Sequence, residues 1–178
     1  VYSGNVSVDR ALFNALGGFN TRLKRAEDTE LGYRLERAGA QFHFNGKAAG
    51  IHCGVHTFAT WRTIQYNYGR YDVQLADQEG HRALIPFGQW FRERNLWNRV
   101  LIRVTVGHPL LQRMILSLAQ IGAMASDRLA LHRTSHWSYS VIANLLYWQG
   151  VADALGGSPQ FWQRIADQPL RRQASHVS

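Results

Sequence analysis

Three carboxylates fall within four residues at Glu27-Asp28-Thr29-Glu30, directly ahead of an apolar stripe carried by Leu31, Leu35 and Ala38. That spacing predicts an amphipathic helix over residues 29–38, ended by Gly39, with the acidic group at its N-terminus. Two chemistries fit. Asp28 can be the helix cap, with Glu30 placed favourably against the macrodipole. Alternatively, a carboxylate held at a helix N-terminus stays ionised at neutral pH and can take the proton of a hydroxyl as that hydroxyl attacks an electrophile. A second group is His52 and His56, four residues apart, which suits a metal pair on one helix. Gly54 interrupts such a helix and no Glu follows His52, so the pair also reads as two polar histidines at a strand-to-loop junction. The single cysteine, Cys53, excludes an intrachain disulfide and a thiolate cluster.

The pattern also predicts the elements that must position these residues. Gly4-Asn5-Val6-Ser7-Val8 reads as the end of a strand. Residues 9–16 carry Leu12, Phe13 and Leu16 and form a short helix stopped by Gly17-Gly18. A loop covers residues 19–26 before the helix at 29–38. Gln41-Phe42-His43-Phe44-Asn45 alternates as a strand does, and residues 48–52 read as another. Helix, strand and short helix in this order belong to an α/β domain. After His56 the pattern turns mainly helical. Trp61, Ile64, Tyr68 and Leu75 keep helical spacing through residues 57–78. Residues 92–103 interleave Arg92, Arg94, Arg99 and Arg103 with Leu96, Trp97, Val100, Leu101 and Ile102. Pro109 opens a helix whose stripe is Leu111, Met114 or Ile115, Leu118, Ile121, Ala125 and Leu129. A last helix covers residues 138–155 and ends at Gly156-Gly157. The polar, basic residues 168–178 read as a frayed tail. No internal repeat and no low-complexity tract is visible.

With 178 residues and 46% apolar content the chain can bury a core, and its composition excludes a disordered chain, a coiled coil and a collagen repeat. The net charge of +8 favours anionic partners: nucleic acid, acidic lipid headgroups or phosphate-bearing substrates. The basic-aromatic stretch from Trp90 to Arg103 could bind nucleic acid by charge and stacking, or could be an ordinary solvated helix face. It could also lie on an anionic membrane with Trp90, Phe91, Leu96 and Trp97 at the interface. No nucleic-acid motif is present, so the membrane surface is preferred and nucleic acid is not expected as a partner. The uncharged run 114–126 is too short to span a bilayer, and the run 134–152, with His136, Asn144, Gln149 and Gly150, is a poor span. No signal peptide is visible, and an opening of Val1-Tyr2-Ser3-Gly4 suggests a fragment of a longer protein.

The motifs occur in a particular order. Gly4-Asn5-Val6-Ser7-Val8-Asp9-Arg10 is followed by Leu16-Gly17-Gly18-Phe19-Asn20 and by Arg25-Ala26-Glu27-Asp28-Thr29-Glu30-Leu31-Gly32-Tyr33-Arg34-Leu35. Ala38-Gly39-Ala40 and Ile51-His52 come next. This set resembles the C-terminal half of bacterial inverting glycosyltransferases of family two, which have the GT-A fold. The run Tyr147-Trp148-Gln149-Gly150-Val151-Ala152-Asp153-Ala154-Leu155-Gly156 also looks like the tail of such enzymes. The resemblance implies an α/β, Rossmann-like domain followed by a mainly helical extension. It divides the chain into an acceptor-side catalytic part at residues 1–56, a helical connecting region at 57–108, and amphipathic helices with a polar tail at 109–178. By the same resemblance Asp28 matches the general base, Glu27 a carboxylate that orients the acceptor sugar, and His52 a histidine that helps hold a divalent cation, with His56 as the register alternative. Gly4 and Asn5 would line the donor–acceptor junction, and Arg70, in Tyr68-Gly69-Arg70, would lie near the pyrophosphate. The implied partners are a nucleotide-sugar donor, Mn2+ or Mg2+, and a glycan or lipid-linked acceptor. The cation and donor would be held mostly by an upstream half carrying an Asp-x-Asp motif. The implied location is cytoplasmic, at the inner face of the cell membrane. The rival expectation is a non-catalytic, membrane-peripheral interaction domain derived from such an enzyme.

Overall fold

The computed structural model describes residues 3–51, 53, 54, 56–78 and 85–167, and among these every regular element is helical. The expected α/β domain is therefore corrected: among the described residues none of the three anticipated strands forms. Ser3–Asn5 is a short 3-10 turn, and residues 6–8 and 40–51 are irregular, with turns. A strand needs a neighbour to take its main-chain N–H and C=O groups, and among the described residues no second extended segment lies alongside. The backbone turns on itself instead. Asn45 accepts from Lys47 N through Oδ1 at 3.0 Å and from Ala48 N through its carbonyl at 3.1 Å. The alternating aromatics at 42 and 44 find no core, and Phe44 is 98% exposed.

The chain divides into two compact units, residues 1–57 and 58–178. The first unit holds α1 (Arg10–Ala15) and α2 (Glu27–Arg37). Asp9 caps α1, its carboxylate accepting from Leu12 N at 2.8 Å. Gly17 and Gly18, at φ 79° and 69°, let the chain turn off the end of α1, with Gly18 N bonded to Phe13 O at 2.9 Å. Leu31 and Leu35 of α2, with Leu23 ahead of it, are the buried apolar side chains of this unit.

The second unit is built around two long parallel helices, α3 (Phe58–Ala76) and α7 (His132–Ala154). Between them in sequence lie α4 (Phe87–Glu93), α5 (Leu96–Thr105) and α6 (Pro109–Arg128), and α8 (Ser158–Ala166) follows α7. The basic-aromatic stretch is thus two helices broken at Arg94 and Asn95, with Asn95 capping α5 through Asn98 N at 2.8 Å. Serine, aliphatic and aromatic residues at helical spacing (Ser138, Val141, Leu145, Trp148, Ala152) bury one side of α7. Trp148 is fully buried and meets the rings of Phe91, Phe161 and Phe87 edge-on at 5.7, 5.8 and 6.5 Å. α6 packs antiparallel on α7, with Gln112 Nε2 donating to Leu145 O at 3.2 Å near one end and Ser135 and Tyr139 donating to the Asp127 carboxylate near the other.

The parallel pair carries a short repeat, which corrects the expectation of none. Tyr66-Asn67-Tyr68-Gly69-Arg70-Tyr71-Asp72 in α3 and Tyr147-Trp148-Gln149-Gly150-Val151-Ala152-Asp153 in α7 share Tyr-x-x-Gly-x-x-Asp. A Cβ on Gly69 would lie 2.0 Å from Tyr147 O, and one on Gly150 would lie 2.0 Å from Tyr66 O. Each phenol crosses to the other helix: Tyr66 Oη donates to Asp153 Oδ2, and Tyr147 Oη to Asp72 Oδ2, both at 2.8 Å. Phe58 and Trp61 at the start of α3 lie against Tyr139 near the start of α7, at 6.1 and 5.7 Å, which fixes the common direction.

Candidate functional site

The acidic group sits where α2 begins, and the local backbone explains its placement. Ala26, the residue before the helix, is left-handed at φ 59° and ψ 18°, a conformation that costs a non-glycine residue roughly 1 kcal/mol. Its side chain cannot accept a hydrogen bond, so the helix has no side-chain cap. Glu27, Asp28 and Glu30 occupy the first turn, where carboxylates are favoured by the unpaired N–H groups. Asp28 is therefore the second residue of α2 and not its cap, and its Oδ1 accepts from Thr29 N at 2.8 Å. Glu27 and Asp28 are both half-buried.

Glu30 behaves differently from its two neighbours. It is 3% exposed and forms a two-pronged pair with Arg34, Nε to Oε1 and Nη2 to Oε2, both at 2.7 Å. The same guanidinium donates to Leu16 O at 2.5 Å and Gly18 O at 2.7 Å, the carbonyls left over at the end of α1. Arg34 thus fastens the first turn of α2 to the end of α1 and fixes the helix on which Asp28 rides. A Glu followed by Arg four residues on is the sequence signal for this pair, although its inward direction is not.

Asn5 Nδ2 donates to Ala48 O at 2.6 Å, which ties the Gly4-Asn5 turn to the segment preceding residue 51. An open apolar hollow of about 350 Å³ is lined by Val6, Val8, Arg10, Phe13, Phe19, Leu31 and Leu35, with Phe13 and Phe19 edge-on at 5.5 Å. Neither Glu27 nor Asp28 is among its lining residues. Arg70 belongs to the second unit, exposed on α3 with its guanidinium 5.9 Å from the ring centre of Tyr66. A second hollow of about 380 Å³, one turn before it, is lined by Ala59, Arg62, Thr63, Tyr66 and Leu146. Burial, then the Asp153 carboxylate, raises the Tyr66 phenol above its ordinary value.

His52 lies outside the described residues, and His56 is exposed. Among the described residues no three His, Cys, Asp or Glu side chains come together as a cation site. The divalent cation that the resemblance implies is expected to be held mostly by an upstream half, with His52 or His56 contributing. Among the described residues no helix is long and apolar enough to cross a membrane. Compared with protein-family models, curated proteins and solved structures, the chain gives no match.

Proposed function

We propose that the chain serves in inverting glycosyl transfer from a nucleotide-sugar donor to a hydroxyl of a glycan or lipid-linked acceptor. The observation that carries this reading is the placement of Asp28: first turn of α2, half-buried, one oxygen engaged by Thr29 N, on a helix fastened by Arg34. The acceptor oxygen would form its bond to the anomeric carbon as the bond from that carbon to the diphosphate breaks. The hydroxyl proton would pass to Asp28 and the diphosphate would leave on the opposite face. Glu27 would orient the acceptor, with Gly4 and Asn5 on the same unit. Gly4 and Asn5 would line the donor–acceptor junction, and most of the donor and cation ligands would come from an upstream half. A cytoplasmic location at the inner face of the cell membrane goes with it.

A second reading, a non-catalytic interaction domain, is favoured by the absence of any strand among the described residues. One substitution separates the two. Asp28→Asn keeps size and hydrogen-bonding reach while removing the proton acceptor. In the complete enzyme, release of nucleoside diphosphate in the presence of acceptor should then fall by roughly two to four orders of magnitude, with the far-ultraviolet circular dichroism unchanged. Turnover that survives Asp28→Asn in the complete enzyme removes Asp28 as the base, and a complete protein without transfer in the presence of donor and Mn2+ favours the second reading.

A further inference from the structure

Two consecutive helices of the second unit carry their apolar side outward. α6 buries Gln112, Leu116, Ala119, Ala123 and Ser126. It exposes Leu110, Met114, Leu118 and Ile121, at 74%, 63%, 66% and 63%. The apolar stripe read from the sequence is thus the outer face. α5 does the same, burying Asn98, Ile102 and Thr105 while exposing Leu96 and Trp97 at 59% and 68%. A helix at a water-facing surface normally shows the reverse pattern. Small residues on the inner side let α6 approach α7 closely, the packing used where the outer side meets lipid. At Gly122 a Cβ would lie 3.3 Å from Ser138 Oγ.

The charge on this stretch indicates what the outer faces meet. From Arg94 through Ser126 the sequence has no Asp or Glu, and Arg94, Arg99, Arg103 and Arg113 lie among the apolar residues. Arg94, Arg103 and Arg113 are exposed. The one carboxylate of α6, Asp127, accepts from Ser135 and Tyr139 of α7, and an apolar surface flanked by guanidinium groups matches the headgroup boundary of an anionic bilayer, where aliphatic side chains enter the acyl region and guanidinium groups stay at the phosphates. At 20 residues α6 is about 30 Å long, and lying in the membrane plane it buries its whole apolar arc without crossing. We propose that the outward face of α6, together with that of α5, docks this protein onto an anionic lipid surface.

The test is co-sedimentation of the full chain with phosphatidylcholine vesicles, with or without phosphatidylglycerol. Binding should require phosphatidylglycerol, weaken with added salt and shift the Trp fluorescence to the blue. Leu118→Glu with Ile121→Glu should weaken it about tenfold or more at unchanged circular dichroism, since both side chains are already exposed. Arg94→Gln with Arg113→Gln should weaken it by roughly tenfold. Absence of binding overturns the proposal, as does binding that survives the double glutamate change. A wild-type dimer that becomes monomeric on that change, with no vesicle binding, also overturns it and assigns the face to a second copy of the chain.

Discussion

Gly69 of α3 and Gly150 of α7 are packed backbone to backbone, each leaving room for a carbonyl of the other helix where a side chain would begin. The atoms in the way, Tyr147 O and Tyr66 O, are main-chain atoms within helices and cannot swing aside. Gly69→Ala and Gly150→Ala should each destabilise the second unit by about 3 kcal/mol, the upper end of overpacking costs. Helix propensity alone would make the same changes mildly stabilising. The sign of the shift in urea midpoint therefore separates the two effects.

Two of the phenols bonded to carboxylates, Tyr66 and Tyr139, should be visible in alkaline solution. Burial, then the hydrogen bond to Asp153, raises Tyr66, and the hydrogen bond to Asp127, then burial, raises Tyr139 above the ordinary tyrosine value. A folded-state value above the unfolded one means a stabilisation that is complete below the unfolded value and is lost as pH rises through the folded one. Absorbance at 295 nm should show phenols ionising above pH ~10, with stability falling over the same range. Tyr147→Phe should cost about 2 kcal/mol and Tyr66→Phe about 1, because Asp72 is buried and the Tyr66 bond is exposed.

In the first unit the buried pair between Glu30 and Arg34 is the obvious weak point. Arg34→Met removes a guanidinium that also satisfies Leu16 O and Gly18 O, and should destabilise that unit by about 3 kcal/mol. Limited proteolysis followed by mass spectrometry should then show new cleavage between residues 16 and 26, with residues 58–167 protected as before.

Local signals in the sequence located most helices correctly and the strands wrongly. Asp9, Gly17, Gly39 and Pro109 act on the backbone beside them, so α1, α2 and the start of α6 were readable within two residues. The alternation at residues 41–45 is necessary for a strand but brings no partner with it. The spacing of Leu118 and Ile121 shows that α6 has an apolar face, but not whether that face turns inward. Ser158-Pro159 is the start signal for α8, and it lies directly after the Gly156-Gly157 that ends α7. Three identities in seven residues are too few to reveal the Tyr-x-x-Gly-x-x-Asp repeat without coordinates. Glu27 and Asp28 lie within two residues of where the spacing puts them, whereas Glu30, of the same acidic group, serves α1.

The repeat makes each long helix an equivalent of the other, and this has a consequence for alignment. If α3 slid by one turn along α7, Gln65 or Val73 would arrive where Gly69 has room only for hydrogen. Both phenols would leave their carboxylates in the same movement. No intermediate offset preserves half of the interaction, so the pair has a single vernier position, checked at its middle by contact and on both flanks by hydrogen bonds. A chain in which residues 77–131 separate the two helices can therefore bring them together late and still find only one way to join them.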